Sequence, residues 1–238
     1  MRNDGEPGVQ ADFDPAAAVE RLRRGFGEVL DEQAAGGFGG GASVSLWRRG
    51  EPLLSLHGGE ASPGRHWTAT TPCLIWSASK GIAAVCVLHA LEGKGVPLDV
   101  PVASVWPEFA AAGKERITLS EALSHRAGLA AIDRKGLAIT DHEAVASALA
   151  EQAPNWAADG SHGYGARTHG FLLDELVRRV AGEPLGSYWD RVFRRPLGLD
   201  LWFGMPAGLA DTAATVIAPR AAPPPRPAIH IIPVQLPA

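Results

Sequence analysis

Apolar side chains recur with helical spacing near the start of the chain. Asp14 and Pro15 are typical of a helix N-cap and of the first helical position. The apolar positions that follow, mostly three or four residues apart, are Val19, Leu22, Phe26, Val29 and Leu30. This pattern predicts an amphipathic helix that ends in the glycine-rich segment 36–41.

The following stretches change from a strand pattern to a continuous apolar one. Residues 42–57 alternate between apolar and polar side chains on both sides of a polar turn at 49–51, which predicts a β-hairpin. Residues 77–91 are apolar nearly all round, and a helix without a polar face is normally buried. We therefore expect a buried helix over 77–91.

Further helices are predicted from their capping signals. Residues 118–121 and 140–143 have the form of capping boxes, and the helices they open should end at Gly128 and before Pro154. Residues 168–180 have an apolar face and are followed by a glycine at 182, which is typical of a helix end.

The remaining segments are predicted from local patterns as well. Residues 185–193 are expected to form one more helix, and the alternating residues 199–203 a strand. Seven of the last twenty residues are proline, which lacks a backbone donor, so residues 219–238 are expected to form a tail without regular structure.

Composition and charge narrow the function classes. The chain has 238 residues, of which 46% are hydrophobic and 20% charged, and its formal net charge of −4 argues against a basic nucleic-acid surface. No apolar run approaches the roughly 18 residues of a membrane span, and the first residues lack the apolar stretch of a secretory signal. We therefore expect a cytoplasmic globular protein that binds neither membrane nor nucleic acid.

Metal and cofactor motifs are missing from the sequence. Cys73 and Cys86 form no CxxC pair, and the eight histidines form no HExxH or other close metal-binding pair. The glycines at 36–41 precede a strand, the wrong order for a phosphate-binding loop. No metal, cofactor or disulfide is expected.

Ser77-Ala78-Ser79-Lys80 has the form S-x-x-K at the start of the most apolar helix. Positions i and i+3 share a helix face, so Lys80 can reach the Ser77 hydroxyl. An ammonium enclosed by apolar neighbours such as Trp76 and Val87 would have a lowered pKa, and a neutral amine can accept the serine proton. The Ser77 amide, at a helix start, can stabilise an oxyanion. The alternative is that Ser77 is only an N-cap and Lys80 only a solvated residue.

A serine–lysine site usually needs a third group that moves protons, and tyrosine suits this task. The chain has two tyrosines. Tyr188 lies among apolar residues and is expected to pack in a helix, whereas Tyr164 lies in a glycine-rich loop before a helix. Tyr164 is thus the candidate, with a packed surface residue as the alternative.

Four segments together resemble the serine β-lactamase and penicillin-binding-protein superfamily, most closely the branch with class C β-lactamases and β-lactamase-like carboxylesterases. They are 74–81 (LIWSASKG), 123–129 (LSHRAGL), 171–185 and 195–199 (RPLGL), in the expected order within about 26–206. The resemblance implies that Ser77 is the nucleophile, Lys80 the general base and Tyr164 the proton relay, with an acyl-enzyme intermediate. His125 in the LSHRAGL turn is expected to be a structural hydrogen-bonder.

Two features depart from the family pattern. The second motif is usually Y-x-N, but Ala166 stands at its third position, which puts β-lactam recognition in doubt more than ester cleavage. The third motif, K-T-G or H-x-G, is absent; His230 is the nearest histidine and lacks the glycine. We therefore expect the chain to stop before the C-terminal strands that relatives carry.

The resemblance implies an α/β (α+β) fold of β-lactamase/transpeptidase type, with a helical subdomain and a partial antiparallel sheet. The expected division is a β-lactamase-related domain over 1–218, with a mainly helical subdomain at 61–180, a sheet-side part at 14–60 and 185–205, and the tail at 219–238. The unpaired edge of the hairpin is expected to allow a homodimer.

The expected function is that of a serine hydrolase that cleaves small carboxylic esters through an acyl-enzyme. One alternative is a truncated or catalytically inactive protein of the same fold, which the absent third motif favours. A further alternative is β-lactamase or D-amino-acid peptidase activity. The absence of G-x-S-x-G makes an α/β-hydrolase a poor interpretation.

Overall fold

The computed structural model describes residues 14–35, 39–156 and 160–217, and the predicted tail at 219–238 lies outside them. The chain divides by its internal contacts into two compact units. A sheet unit comprises the described residues of Met1–Leu74 and Gly208–Ala238, and a helical unit comprises those of Ile75–Ala207. This division differs from the expected one, because 61–74 lie with the sheet and 185–205 with the helices.

The sheet unit begins with helix α1 (Pro15–Ala35). The Asp14 carboxylate accepts hydrogen bonds from the amides of Ala16 and Ala17, at 2.9 and 3.2 Å, which confirms the predicted N-cap. The helix packs on the hairpin so closely that a Cβ on Gly58 would lie 2.7 Å from Leu30 Cδ1. The predicted amphipathic helix is therefore present.

Strands β1 (Gly41–Arg48) and β2 (Glu51–Ser62) form the predicted antiparallel hairpin. Arg49 and Gly50 both have positive φ, the backbone that a type I′ turn requires. Strand β2 runs further than expected and pairs with the short β3 (Arg65–His66). Among the described residues β1 pairs only with β2, so the homodimer through its other edge stays a prediction.

In the core of the helical unit, α2 (Ser79–Glu92) and α5 (Thr168–Ala181) pack on each other. Their buried apolar side chains are Ala83, Cys86, Val87, Ala90, Leu91, Leu172, Leu173, Leu176 and Val177. The prediction of an all-round buried α2 is wrong, because Val85 and Leu88 are 47% and 41% exposed. The helix buries one side against its neighbours.

Shorter helices surround this pair. They are 3₁₀ turns at Trp76–Ala78, Val102–Ser104 and Pro107–Gly113, and helices α3 (Leu119–Leu123) and α4 (His142–Glu151). The Thr118–Glu121 capping box of α3 is confirmed. The second predicted box is wrong by one residue, because the Asp141 carboxylate, not Thr140, accepts the Ala144 amide of α4.

The segment after α5 stays helical for longer than predicted. Gly182 ends α5 with a left-handed backbone, as expected. Helix α6 (Leu185–Trp189) then continues through a π-helical turn (Asp190–Arg194) into α7 (Arg195–Leu197), and α8 (Ala207–Ala210) follows.

The strand predicted at 199–203 is wrong. The described backbone there is irregular, and the alternating side chains Leu199, Leu201 and Phe203 pack against the helical core. The Trp189 indole donates a hydrogen bond of 2.8 Å to the Leu201 carbonyl, which takes the place of a sheet partner. Within the described ranges, no helix combines the length and the apolar character needed to cross a membrane.

Candidate active site

Ser77 lies on the 3₁₀ turn Trp76–Ala78 that leads into α2. We expected it to open the helix, but α2 begins at Ser79, and Ser77 lies in a 3₁₀ turn whose first residue, Trp76, has a left-handed backbone with φ of 48°. A bulky residue adopts this conformation only under strain, and such residues cluster at functional sites. The turn leaves the Ser77 side chain exposed to solvent.

Lys80 lies one helical turn after Ser77 and makes two hydrogen bonds. Its Nζ donates to Ser77 Oγ at 3.0 Å and to the Ala166 carbonyl at 2.9 Å. The same Nζ lies 5.1 Å from the centre of the Tyr164 ring. The structure therefore brings the three predicted site residues together around one ammonium group.

The surroundings of Lys80 differ from the apolar enclosure that we expected. Trp76 is 68% exposed, and Lys80 itself is half-buried. The partners of the ammonium are a hydroxyl and a backbone carbonyl. The Ala166 carbonyl thus holds Lys80, although Ala166 lacks the amide side chain that the usual Y-x-N motif carries at this position.

Tyr164 is 53% exposed in the loop that precedes α5. Hydrogen bonding to Ser77, followed by hydrogen bonding to Lys80 and its charge, holds the pKa of the Tyr164 phenol below its ordinary value. Lowering the pKa makes the phenol a better proton carrier at neutral pH. The geometry therefore suits the proton-relay role that the resemblance implies.

Ser79, the other serine of the motif, faces away from this group. Its Oγ donates a hydrogen bond of 2.7 Å to the Trp76 carbonyl, across the turn that carries Ser77. It therefore stabilises the turn. Tyr188 is buried and bonds His89 Nδ1 at 2.7 Å, which confirms its predicted role in helix packing.

The loop that carries Tyr164 is attached to the turn after α3. The His125 carbonyl accepts the Gly163 amide at 3.0 Å, and His125 Nδ1 accepts the Gly165 amide at 3.2 Å. Both glycines are required, since a Cβ on Gly163 would lie 2.3 Å from the Trp156 ring and one on Gly165 2.6 Å from Thr168 Oγ1. The expectation that His125 is a structural hydrogen-bonder is confirmed.

A cavity of about 1020 Å³ adjoins Lys80 within the helical unit, and no motif in the sequence signals it. Its wall combines aromatic with charged side chains: Trp189, Trp202, Phe203, Asp174, Asp190, Arg191, Arg194 and Arg195. The apolar residues around 189–203 could be assigned only to packing from the sequence. No group of three or more metal-ligating side chains is found in the part of the chain that the structure describes.

Comparison with known proteins gives consistent matches. A family model described as Beta-lactamase matches residues 27–233. Esterase/beta-lactamase LipL of Mycobacterium tuberculosis is 32% identical over 191 residues, which cover 77% of this chain and 43% of LipL.

Two solved structures are also similar. A penicillin-binding protein homologue from Caulobacter crescentus has a TM-score of 0.75 at 35% identity and covers 89% of this chain and 56% of its own. EstA from Arthrobacter nitroguajacolicus Rue61a has a TM-score of 0.71 at 29% identity, and the match covers 82% of this chain and 50% of EstA. The chain thus spans about half the length of the relatives that it matches.

Proposed function

Because the chain belongs to the Beta-lactamase family, we propose that it is a serine hydrolase that cleaves small carboxylic esters through an acyl-enzyme on Ser77. The observation that carries the proposal is the Lys80 ammonium, which bonds both Ser77 Oγ and the Ala166 carbonyl beside the Tyr164 ring. In its neutral amine form, Lys80 is a base within hydrogen-bond reach of the Ser77 hydroxyl, which is the arrangement that activates a serine nucleophile.

In the acylation step, Lys80 as the neutral amine accepts the Ser77 proton while Ser77 Oγ forms a bond to the ester carbonyl carbon. The carbonyl oxygen becomes an oxyanion, and the Ser77 amide, in the 3₁₀ turn Trp76–Ala78, donates to it. The carbon–oxygen bond to the alcohol then breaks. Tyr164 passes the proton from Lys80 to the leaving alkoxide, which departs as the alcohol.

In the deacylation step, a water molecule attacks the acyl carbon. One proton of that water passes through Tyr164 to Lys80. The bond between the acyl carbon and Ser77 Oγ breaks, and Ser77 recovers the proton. The products are a carboxylic acid and the free enzyme. The lowered pKa of Tyr164 supports this relay, since the phenol then exchanges its proton readily.

Esters are favoured over β-lactams by the residue at position 166. The Ala166 carbonyl holds Lys80, but alanine has no amide side chain to offer a β-lactam carbonyl. The similar proteins include one named both esterase and β-lactamase and a family VIII carboxylesterase, 30% identical with a TM-score of 0.69. The aromatic cavity beside Lys80 offers apolar surface for an acyl or alcohol group.

A second candidate is a protein of the same fold without turnover, which the solvent exposure of Ser77 and Tyr164 favours. Hydrolysis of p-nitrophenyl acetate and butyrate separates the two. The wild-type chain should hydrolyse these esters and Ser77→Ala should not, whereas Ser79→Ala, which loses only a hydrogen bond of the turn, should keep most of the activity. Equal losses in both serine variants would overturn the assignment of the nucleophile, and no hydrolysis by any of them supports the second candidate.

A further inference from the structure

Two histidine rings lie directly behind Tyr164. The rings of His125 and His169 are stacked, with centres 3.9 Å apart and planes at 30°. The His125 ring also lies 4.9 Å from the Tyr164 ring. His125 follows α3 with φ of 61°, a left-handed backbone that histidine adopts more readily than most residues.

His125 holds both sides of the tyrosine. Its carbonyl accepts the amide of Gly163 and its Nδ1 accepts the amide of Gly165, the two residues that flank Tyr164 in the chain. Because Nδ1 accepts a hydrogen bond from an N–H group, it carries no proton. The loop geometry therefore requires the neutral form of His125, with its proton on Nε2.

The stack also disfavours charge. His169 is buried, its Nε2 bonds the Leu123 carbonyl at 3.3 Å, and its Nδ1 has no hydrogen-bond partner within the described residues. Two imidazolium rings at this separation would repel each other at close range.

Burial and the neighbouring cationic or titratable groups lower the pKa of both histidines. Burial, then Lys80 and His162, lower the pKa of His125. Burial, then His125 and Lys80, lower the pKa of His169 to about 4. The Tyr164 ring, which is tilted by 56° against the His125 ring, lies beside the pair, and the titratable groups around it leave both rings neutral at pH 7.

We propose that the stacked, neutral His125–His169 pair positions Tyr164 against Ser77 and Lys80, and that protonation of His125 releases the tyrosine. The inference rests on the proposed function, in which Tyr164 is the proton relay. A proton on His125 Nδ1 would turn this atom into a donor that faces another donor, the Gly165 amide, so the hydrogen bond between them would break. It would also add a positive charge beside Lys80. His125 and His169 act through Tyr164 and are positioning residues.

The first test measures the phenol of Tyr164 without turnover. The chain has two tyrosines, so in a Tyr188→Phe background the absorbance of the phenolate reports Tyr164 alone. In that background the pKa of Tyr164 should lie below the ordinary value for tyrosine. His125→Ala removes the Nδ1 acceptor and should return the pKa towards that value. His125→Asn should keep it low, because an asparagine oxygen can accept the Gly165 amide and asparagine tolerates a left-handed backbone.

The control is His57→Asn, which changes an exposed histidine on β2 and should leave the titration of Tyr164 unchanged. A folded His125→Ala protein in which Tyr164 keeps the low pKa would overturn the positioning role. Since no substrate is used, this result is distinct from a failure of the proposed hydrolase function, which the Ser77→Ala comparison detects.

The second test needs no destabilising variant. Imidazole NMR of the wild-type protein, with the His125 signal assigned by its loss in His125→Asn, should show His125 titrating below the ordinary 6.5. In the active enzyme, kcat should fall with decreasing pH as His125 becomes protonated. His125→Asn should remove this part of the fall, and His57→Asn should still show it. Titration of His125 at or above 6.5 would overturn the neutral pair.

Discussion

Replacing Lys80 by arginine separates two tasks of this side chain, hydrogen bonding as an ammonium and proton acceptance as a neutral amine. Lys80 donates to Ser77 Oγ and to the Ala166 carbonyl, and a guanidinium has enough N–H groups to keep both contacts. It cannot accept a proton at neutral pH, because arginine stays protonated in proteins. The variant therefore keeps the positive charge and the hydrogen bonds while it removes the base.

The expected loss in kcat/KM on p-nitrophenyl butyrate is about a hundredfold or more, the scale of general-base catalysis. A hundredfold loss corresponds to about 2.7 kcal/mol of transition-state stabilisation. The matched control is Lys135→Arg, the same change at an exposed lysine of the helical unit, which should retain wild-type turnover.

Lys80→Met completes the comparison, because it removes the charge, the hydrogen bonds and the base together. We expect it to be at least as inactive as Lys80→Arg. Thermal unfolding of the three variants checks that each is folded. If kcat/KM of Lys80→Arg lay within tenfold of the wild-type value, Lys80 would act only as a cation, and its role as general base would be wrong.

Three further predictions concern stability and substrate. Lys114 is fully buried and its ammonium donates to the carbonyls of Ala111, Ala150 and Gln152; Lys114→Met should lower the free energy of unfolding in urea by about 3 kcal/mol, because the carbonyls lose their donor. The pKa of His169 is lowered to about 4, so below pH 6.5 the unfolded state binds more protons than the folded state. The free energy of unfolding should therefore fall by about 3 kcal/mol between pH 6.5 and pH 4, and His169→Phe should lack this contribution. Turnover of p-nitrophenyl acetate should exceed that of nitrocefin, and comparable rates would contradict the preference for esters.

Much of the fold could be predicted from the sequence where local chemistry decides the structure. The Asp14 N-cap, the Thr118 capping box and the glycine end of α5 depend on residues within a turn of each other, and all three are confirmed. The β-lactamase-type fold is confirmed by the family match and the similar structures.

The strand predicted at 199–203 failed because alternation of apolar residues is not specific to sheets. Leu199, Leu201 and Phe203 pack against the helical core along an irregular backbone, and the Leu201 carbonyl is satisfied by Trp189. The exposure of Val85 and Leu88 could not be predicted either, because it depends on which parts of the chain pack against α2.

At the site, the spacing of Ser77 and Lys80 was sufficient to predict their contact, since they lie three residues apart where the 3₁₀ turn runs into α2. The hydrogen bond from Lys80 to the Ala166 carbonyl was not predictable, because it joins segments 86 residues apart and uses a backbone atom. The histidine stack behind Tyr164 was missed for the same reason. Nothing in the local sequence places His169 against His125.

The most direct test of the central claim is where a fluorophosphonate probe attaches to the chain. Trypsin should release residues 66–80 as one peptide, which contains both Ser77 and Ser79, and fragmentation in the mass spectrometer separates the two sites. An activated nucleophile predicts one adduct per chain, located on Ser77, retained in Ser79→Ala and lost in Ser77→Ala. A wild-type chain that stays unlabelled, or that carries the adduct on Ser79 or elsewhere, would contradict the account.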